Sequence, residues 1–234
     1  MGTLYLIPTV LSDSAPLAQV LPSGNAAIVA QLKHFIVENV RTARRFLKQI
    51  DRNIDIDALT FYELNQHTDL AQIGGYLRPL EQGENVGIIS EAGCPAIADP
   101  GADVVALAQQ HGVKVVPLVG PSSILLSLMA SGFNGQSFAF HGYLPIDKND
   151  RAQRLKLLER RIYTENQTQI FIETPYRNRQ MVDDLCRILQ PQTKLCIASD
   201  ITGATENIRT RTIAHWKKSL PDIGKVPCIF LIFK

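Results

Sequence analysis

The sequence predicts an α/β protein with mainly parallel or mixed sheets and flanking helices, and three observations lead to that expectation. Short apolar runs alternate with longer amphipathic segments along all 234 residues, as strands alternate with crossover helices. Polar, turn-forming residues directly follow two successive apolar runs, at Ser90–Gly101 and Gly120–Ser123. Hydrophobic residues make up 45% of the chain, which is enough for one large core or two modest ones.

The elements follow from the length and spacing of these runs. Runs of strand length are Thr3–Pro8, Val86–Ile89, Lys114–Pro117, Ser137–Phe140, Thr168–Ile172, Lys194–Ser199 and Cys228–Phe233. Segments with helical spacing are Ala26–Gln49, Asp69–Glu81, Gly101–His111, Ser122–Ser131, Asp150–Glu165 and Tyr176–Leu189. We expect an N-terminal α/β domain over residues 1–117 and a C-terminal α/β domain over 118–234, with the Gly-Pro-Ser-Ser loop at their junction.

The two turn-rich loops mark a candidate ligand site. In open α/β sheets, ligands bind outside the carboxyl ends of the strands, and glycine lets the backbone approach a ligand closely. The alternative is that these loops are only tight connections between strand and helix. No GxxxxGK[ST] or GxGxxG motif follows any strand, so spacing alone indicates a polar small-molecule pocket without naming its ligand.

Composition excludes several classes of protein. A net charge of +2 gives no strong field toward nucleic acid or membrane, and no apolar stretch approaches the roughly 18 residues of a membrane span. The N-terminus lacks the basic flank and cleavage site of a signal peptide, so we expect a soluble cytoplasmic protein. The cysteines form no CxxC pair, which favours reduced thiols and no metal site.

An ordered series of motifs resembles a known family. "SEAGCPAIADPG" at Ser90–Gly101, "VVPLVGPSSILLSLMASGF" at Val115–Phe133 and "FAFHGYLP" at Phe138–Pro145 resemble the tetrapyrrole methylase superfamily. Within it they are most similar to the ribosomal RNA small subunit methyltransferase I branch, which 2′-O-methylates a cytidine of 16S rRNA. "IFIETPYR" at Ile170–Arg177, "ASDITGATENI" at Ala198–Ile208 and "GKVPCIFLIF" at Gly224–Phe233 extend the resemblance over essentially the whole chain.

The resemblance implies a two-domain methyltransferase that uses S-adenosyl-L-methionine in a cleft between its domains, acts on RNA and forms a homodimer. Carried over position by position, it implies these cofactor-binding residues: Pro8, Ser90, Glu91, Ala92, Gly93, Cys94, Ser122, Ser123, Thr174, Pro227 and Cys228. It implies Glu38, Arg41 and Glu173 as candidate catalytic residues. The basic residues after Arg41 and those of the helix after "GYLP" either contact RNA phosphates or form solvated helix faces.

Several positions depart from the branch pattern, and they leave the acceptor open. "TVLSDSAP" at Thr9–Pro16 stands where the branch has a GNxxD-like loop, and "ENVR" at Glu38–Arg41 stands for EDTR. Cys94 replaces a threonine, and Lys225 replaces an acid. The leading hypothesis is rRNA 2′-O-methylation. The alternatives are a paralogue that methylates another acceptor and a non-catalytic module that binds S-adenosylmethionine or RNA.

Overall fold

The computed structural model describes residues 1–65, 68 and 70–234. The chain divides into two compact units, Met1–Ser122 and Ser123–Lys234. In the described part of the chain, no helix has the length and apolar composition needed to cross a membrane.

The first unit is built on a five-stranded sheet whose strands are all parallel, in the order β3-β2-β4-β1-β5. The strands are β1 (Thr3–Ile7), β2 (His34–Val37), β3 (Thr60–Glu63), β4 (Val86–Ile89) and β5 (Lys114–Pro117). The helices are α1 (Leu17–Val20), α2 (Ser23–Val29), α3 (Val40–Ile50), α4 (Leu70–Tyr76), α5 (Arg78–Glu81) and α6 (Ala102–Gln110). Two apolar clusters cover this sheet, and all four residues of β4 are buried, as expected for a central parallel strand.

The sequence-based expectation of one helix over Ala26–Gln49 is wrong. The structure divides this segment into α2, β2 and α3. The run from His34 to Val37 is too short to distinguish helix from strand by periodicity, and its last three residues are buried within the sheet. Strand β3 was also missed, because its exposed ends weaken the apolar pattern. The predicted helix Asp69–Glu81 is two helices, α4 and α5, and its first residue lies outside the described residues.

The second unit carries a mixed five-stranded sheet in the order β6-β7-β10-β8-β9. Its strands are β6 (Phe138–Tyr143), β7 (Thr168–Glu173), β8 (Lys194–Ser199), β9 (Asn207–Thr212) and β10 (Cys228–Phe233). Its helices are α7 (Ser123–Ser131), α8 (Lys148–Thr164), α9 (Asn178–Ile188) and α10 (Ile213–Lys218). Only the β6–β7 pair is parallel, and the sequence did not predict β9, whose residues alternate between exposed and half-buried positions.

Candidate active site

Loops that follow β1 and β4 meet at the carboxyl edge of the first sheet, and hydrogen bonds join them. The backbone N–H of Thr9 donates to the Gly93 carbonyl over 3.0 Å. The Ser90 hydroxyl donates to the same carbonyl over 2.5 Å, so Thr9 is the donor in its 3.3 Å hydroxyl contact with Ser90. Thr9 and Ser90 are both buried, and this network therefore fixes the position of the glycine-containing loop after β4.

The loop after β5 packs closely against the other two. Gly93 has φ +71°, and a Cβ at this position would lie 3.3 Å from the Pro121 carbonyl oxygen. A Cβ on Gly120 would lie 2.2 Å from Cγ of Pro8. The Cys94 thiol donates to the Pro121 carbonyl over 3.4 Å. Glycine is therefore required at two points where these loops approach each other.

The backbone of the loop after β4 is strained beyond Cys94. Ala96 and Ala98 have φ values of 63° and 58°, in the left-handed region that alanine seldom occupies. Such conformations cost of the order of 1 kcal/mol each and cluster at ligand-binding sites. An unstrained turn could connect the strand and the helix, so the strain indicates that this loop conformation serves to bind a ligand.

A cavity of about 410 Å³ lies beside this loop. Its walls are small or apolar, and they come from β1, the loop after β4, α6 and the end of β5: Leu6, Cys94, Pro95, Ala96, Ile97, Ala102, Val105, Pro117 and Leu118. The volume is in the range of small-molecule sites, and a flat apolar ring suits such walls. These apolar walls therefore fit the flat face of a ring such as the adenine of S-adenosylmethionine.

Three carboxyl groups gather next to the same loop. Glu38 directly follows β2, and its side chain is hydrogen-bonded to Asp99, while Glu91 lies close enough to act on both by its charge. Burial raises the pKa of Asp99 to about 7, and the charges of Glu38 and Glu91 contribute to this rise. A hydrogen bond from the Glu91 backbone lowers the pKa but does not cancel the rise. Burial and the charge of Glu91 also raise the pKa of Glu38, whereas its hydrogen bond with Asp99 lowers that pKa by less. The pair therefore shares a proton near neutral pH.

Apolar side chains around the pair are the physical cause of the burial. Glu38 and Asp99 line a small cavity of about 10 Å³ whose other walls are Ile36, Val37, Leu64, Ile88, Ile89 and Pro100. Water has little room there to solvate two charges.

The start of α3 positions Glu91 from the other side. The Asn39 side chain caps this helix by accepting hydrogen bonds from the backbone N–H groups of Arg41 and Thr42, at 2.9 and 3.3 Å. The Thr42 hydroxyl then donates to Oε1 of Glu91 over 2.6 Å. The expectation that Glu38 lies on this helix is wrong, since Glu38 precedes the Asn39 cap; Arg41 lies in the first turn and is exposed.

The second unit holds its own group of predicted site residues. Glu173, the last residue of β7, is 5% exposed, and its Oε1 accepts hydrogen bonds from the Arg177 guanidinium at 2.9 and 2.7 Å and from the Thr174 N–H at 2.7 Å. Cys228, which follows Pro227, pairs with Glu173 in the sheet register. Burial raises the pKa of the Cys228 thiol to about 12, so it is an inert packing residue at neutral pH.

The predicted residues therefore form two groups, one in each unit. Pro8, the loop from Ser90 to Cys94 and Glu38 belong to the first unit, and Glu173, Thr174, Pro227 and Cys228 to the second. Ser122 is the last residue of the first unit, and Ser123 begins α7.

Sequence reasoning did not assign three residues that lie with the first group: Thr9, Thr42 and Asp99. Asp99 was visible in the "DPG" end of the loop motif, but its pairing with Glu38 depends on the adjacency of β2 and β4. No sequence signal linked Thr42 with Glu91, which is 49 positions away.

The basic face expected on α8 is partly structural. Arg151 is 3% exposed, pairs with Asp184 at 2.6 Å and donates to the Pro145 and Ile146 carbonyls. His141 bridges Gln169 and Arg154, at 2.7 and 3.1 Å, and burial lowers its pKa. Among the residues described, no group of three or more His, Cys, Asp or Glu side chains is arranged to hold a metal ion.

The sequence is similar to a known protein family and to individual methyltransferases. Residues 23–216 match the family model of the Tetrapyrrole (Corrin/Porphyrin) Methylases. The ribosomal RNA small subunit methyltransferase I of Vibrio cholerae is 31% identical over 212 residues, covering 91% of this chain and 69% of that protein. The protein of the same name from Escherichia coli O157:H7 is 29% identical, over 88% of this chain and 68% of its own.

A solved structure shares the fold. The crystal structure of the methyltransferase CobJ matches with a TM-score of 0.65 at 14% identity, over 100% of this chain and 95% of the other. The match of the family model covers most of both units. The chain therefore belongs to the tetrapyrrole methylase family, and it is a methyltransferase.

Proposed function

We propose that this enzyme transfers a methyl group from S-adenosylmethionine to the ribose 2′-hydroxyl of a cytidine in small-subunit ribosomal RNA. The observation that carries the proposal is the convergence of three small-residue loops beside the hydrogen-bonded carboxyl groups of Glu38 and Asp99. The relatives named ribosomal RNA small subunit methyltransferase I support the choice of acceptor. The family resemblance and this substrate also favour a cytoplasmic homodimer.

The loops after β1, β4 and β5 are the proposed donor site in the first unit. When bound, S-adenosylmethionine supplies an electrophilic methyl group and departs as the neutral thioether. Methyl transfer is an in-line displacement, so much of the rate comes from holding donor and acceptor in position. The Thr9, Ser90 and Gly93 network holds the loop rigid for this purpose. Thr174, Ser123 and Pro227, which belong to the second unit, stay predictions as cofactor-binding residues.

The Glu38 and Asp99 pair is the proposed proton acceptor. A 2′-hydroxyl is a weak nucleophile, and the oxygen that bonds to the methyl group must lose its proton. A general base works best with a pKa near the working pH, and the pKa of Asp99 is about 7. Glu173 is already paired with Arg177, which favours a positioning role for it. Arg41 is proposed to face the RNA from the first turn of α3.

The test is methyl transfer from tritiated S-adenosylmethionine to 30S subunits that lack the cytidine modification. We expect label in 16S rRNA, recovered as 2′-O-methylcytidine after digestion, and none when fully modified subunits are used. Label in another nucleotide or in a small molecule would favour the paralogue alternative. Donor binding without transfer to any ribosomal substrate would favour a binding module, and either result would overturn the proposal.

A further inference from the structure

A second cavity of the first unit has a lining unlike that of the apolar one. It has a volume of about 500 Å³ and lies between α3 and the loops after β1 and β4. Its polar lining residues are Thr9, Asp13, Thr42, Arg45, Gln49, Ser90 and Glu91. The volume suits one nucleotide, and Thr9 and Glu91 connect the cavity to the hydrogen-bonded loops of the donor site.

Arg45 differs from its neighbour on the same helix. The Arg44 guanidinium pairs with Asp57 at 2.8 Å and lies 6.0 Å from the centre of the Phe61 ring, so its charge is already compensated. Arg45 makes no ion pair within 4.0 Å with any residue that the structure describes, and it lines the cavity. An exposed guanidinium in a concave polar site is a natural partner for phosphate.

Glu91 offers the complementary group. Its Oε1 accepts a hydrogen bond from the Thr42 hydroxyl over 2.6 Å, which orients the carboxylate, and Oε2 is a second acceptor on the same group. Asp13 adds a second carboxyl group to the cavity lining. Two carboxyl groups beside one arginine repel a ligand that is only anionic, and they favour one that carries hydroxyl donors next to a single phosphate.

We propose that this cavity binds the ribose-phosphate of the nucleotide next to the acceptor, with Arg45 on a backbone phosphate and Glu91, oriented by Thr42, on the 2′-hydroxyl of that neighbouring ribose. RNA presents a 2′-hydroxyl beside its 3′-phosphate in every nucleotide, and DNA lacks that donor. The inference rests on the proposed function, because it assigns the acceptor side of the same site. It adds a phosphate-binding residue and a basis for selecting RNA over DNA.

The experiment compares Arg45→Gln with its matched control Arg44→Gln. Both remove one charge from neighbouring positions of α3, but only Arg45 lines the cavity. Binding of fluorescently labelled, unmodified 30S subunits is measured by anisotropy at several salt concentrations. For Arg45→Gln we expect affinity to fall about tenfold at low salt and the slope of log K against log salt to shrink by about one. Arg44→Gln is expected to stay within about twofold of the wild type.

A third variant tests the carboxylate. Thr42→Val removes the hydroxyl contacts with Glu91 and with the Asn39 carbonyl, at 2.6 and 2.9 Å, while keeping the size of the side chain. We expect it to raise KM for the subunits several-fold and to leave calorimetric S-adenosylmethionine binding unchanged. Unfolding curves of all variants check that the fold is kept.

The outcomes separate this inference from the proposed function. Equal salt slopes for Arg45→Gln and Arg44→Gln, with a wild type that methylates 30S subunits, would overturn the cavity assignment alone. A wild type that binds the donor but neither binds nor methylates the subunits would overturn both. Loss of donor binding in Arg45→Gln, at unchanged stability, would move Arg45 to the donor side and also contradict the inference.

Discussion

The shared proton of Glu38 and Asp99 makes the stability of the protein depend on pH, and Asp99→Asn removes that dependence. Burial raises the pKa of Asp99 from 3.8 to about 7. Between these values the folded protein keeps a proton that the unfolded chain releases, so stability falls as pH rises from about 4 to about 7 and is constant above. An asparagine amide donates to Glu38 as the protonated acid does, but it never ionises.

The size of the effect follows from the shift. A difference of about 3 pKa units corresponds to about 4 kcal/mol at about 1.4 kcal/mol per unit. Asp99 is partly exposed and shares its proton with Glu38, so solvent screening and coupling reduce the effect to about 1–2 kcal/mol. We therefore expect Asp99→Asn to be more stable than the wild type at pH 8, and to lose this advantage at pH 4.5.

The assay is urea unfolding followed by far-ultraviolet circular dichroism, for both proteins at pH 4.5 and pH 8. Asp103→Asn, which changes an exposed acid in the first turn of α6, is the control and should shift stability equally at both pH values. A stability difference between Asp99→Asn and the wild type that does not grow with pH would refute the reasoning. The same substitution removes the proposed base, so we expect kcat to fall by about 10²-fold or more while stability rises.

Further expectations concern packing and buried charge. In Gly120→Ala, the new Cβ would lie 2.2 Å from Cγ and 2.4 Å from Cβ of the rigid Pro8 ring, and we expect overpacking of the loops to cost about 1–3 kcal/mol in urea unfolding. An unchanged midpoint would contradict this close approach. In Asp184→Ala, the buried Arg151 loses its ion-pair partner, and we expect the free energy of unfolding to fall by about 3–5 kcal/mol. A fall of less than about 1 kcal/mol in urea unfolding would mean that the ion pair is solvated.

The sequence was sufficient for much of the fold because the central strands are continuous apolar runs. The residues from Val86 to Ile89 are buried on both faces, and the glycine-rich loop that follows them lies at the predicted edge of the sheet. The segment at His34–Val37 was misassigned, because a four-residue apolar run within a charged stretch also fits helical spacing. The segment becomes a strand because it pairs with the neighbouring strands β3 and β4, and these pairings are not visible in the local sequence.

The candidate site was predictable only in its loops. The pattern of small residues after a buried strand predicts a ligand site in the loop Ser90–Gly101, and the family resemblance places the cofactor-binding residues at Ser90–Cys94. The pairing of Glu38 with Asp99 and the contact of Thr42 with Glu91 depend on strand order, which periodicity does not encode. The distinction between Arg44 and Arg45 likewise depends on where Asp57 lies in the folded chain.

The most direct test of the central claim is calorimetric titration of S-adenosylmethionine and S-adenosylhomocysteine into the protein, with Gly93→Val as the site variant. A side chain at Gly93 would approach Leu11 Cδ2 to 2.9 Å and the Pro121 carbonyl to 3.3 Å, where the three loops meet. Gly135→Val, at an exposed glycine with open space around it, is the control, and melting curves confirm folding. We expect micromolar binding by the wild type and the control, and its loss in Gly93→Val. No binding by the wild type, or equal binding by a folded Gly93→Val, would contradict the assignment of the methyl donor to these loops.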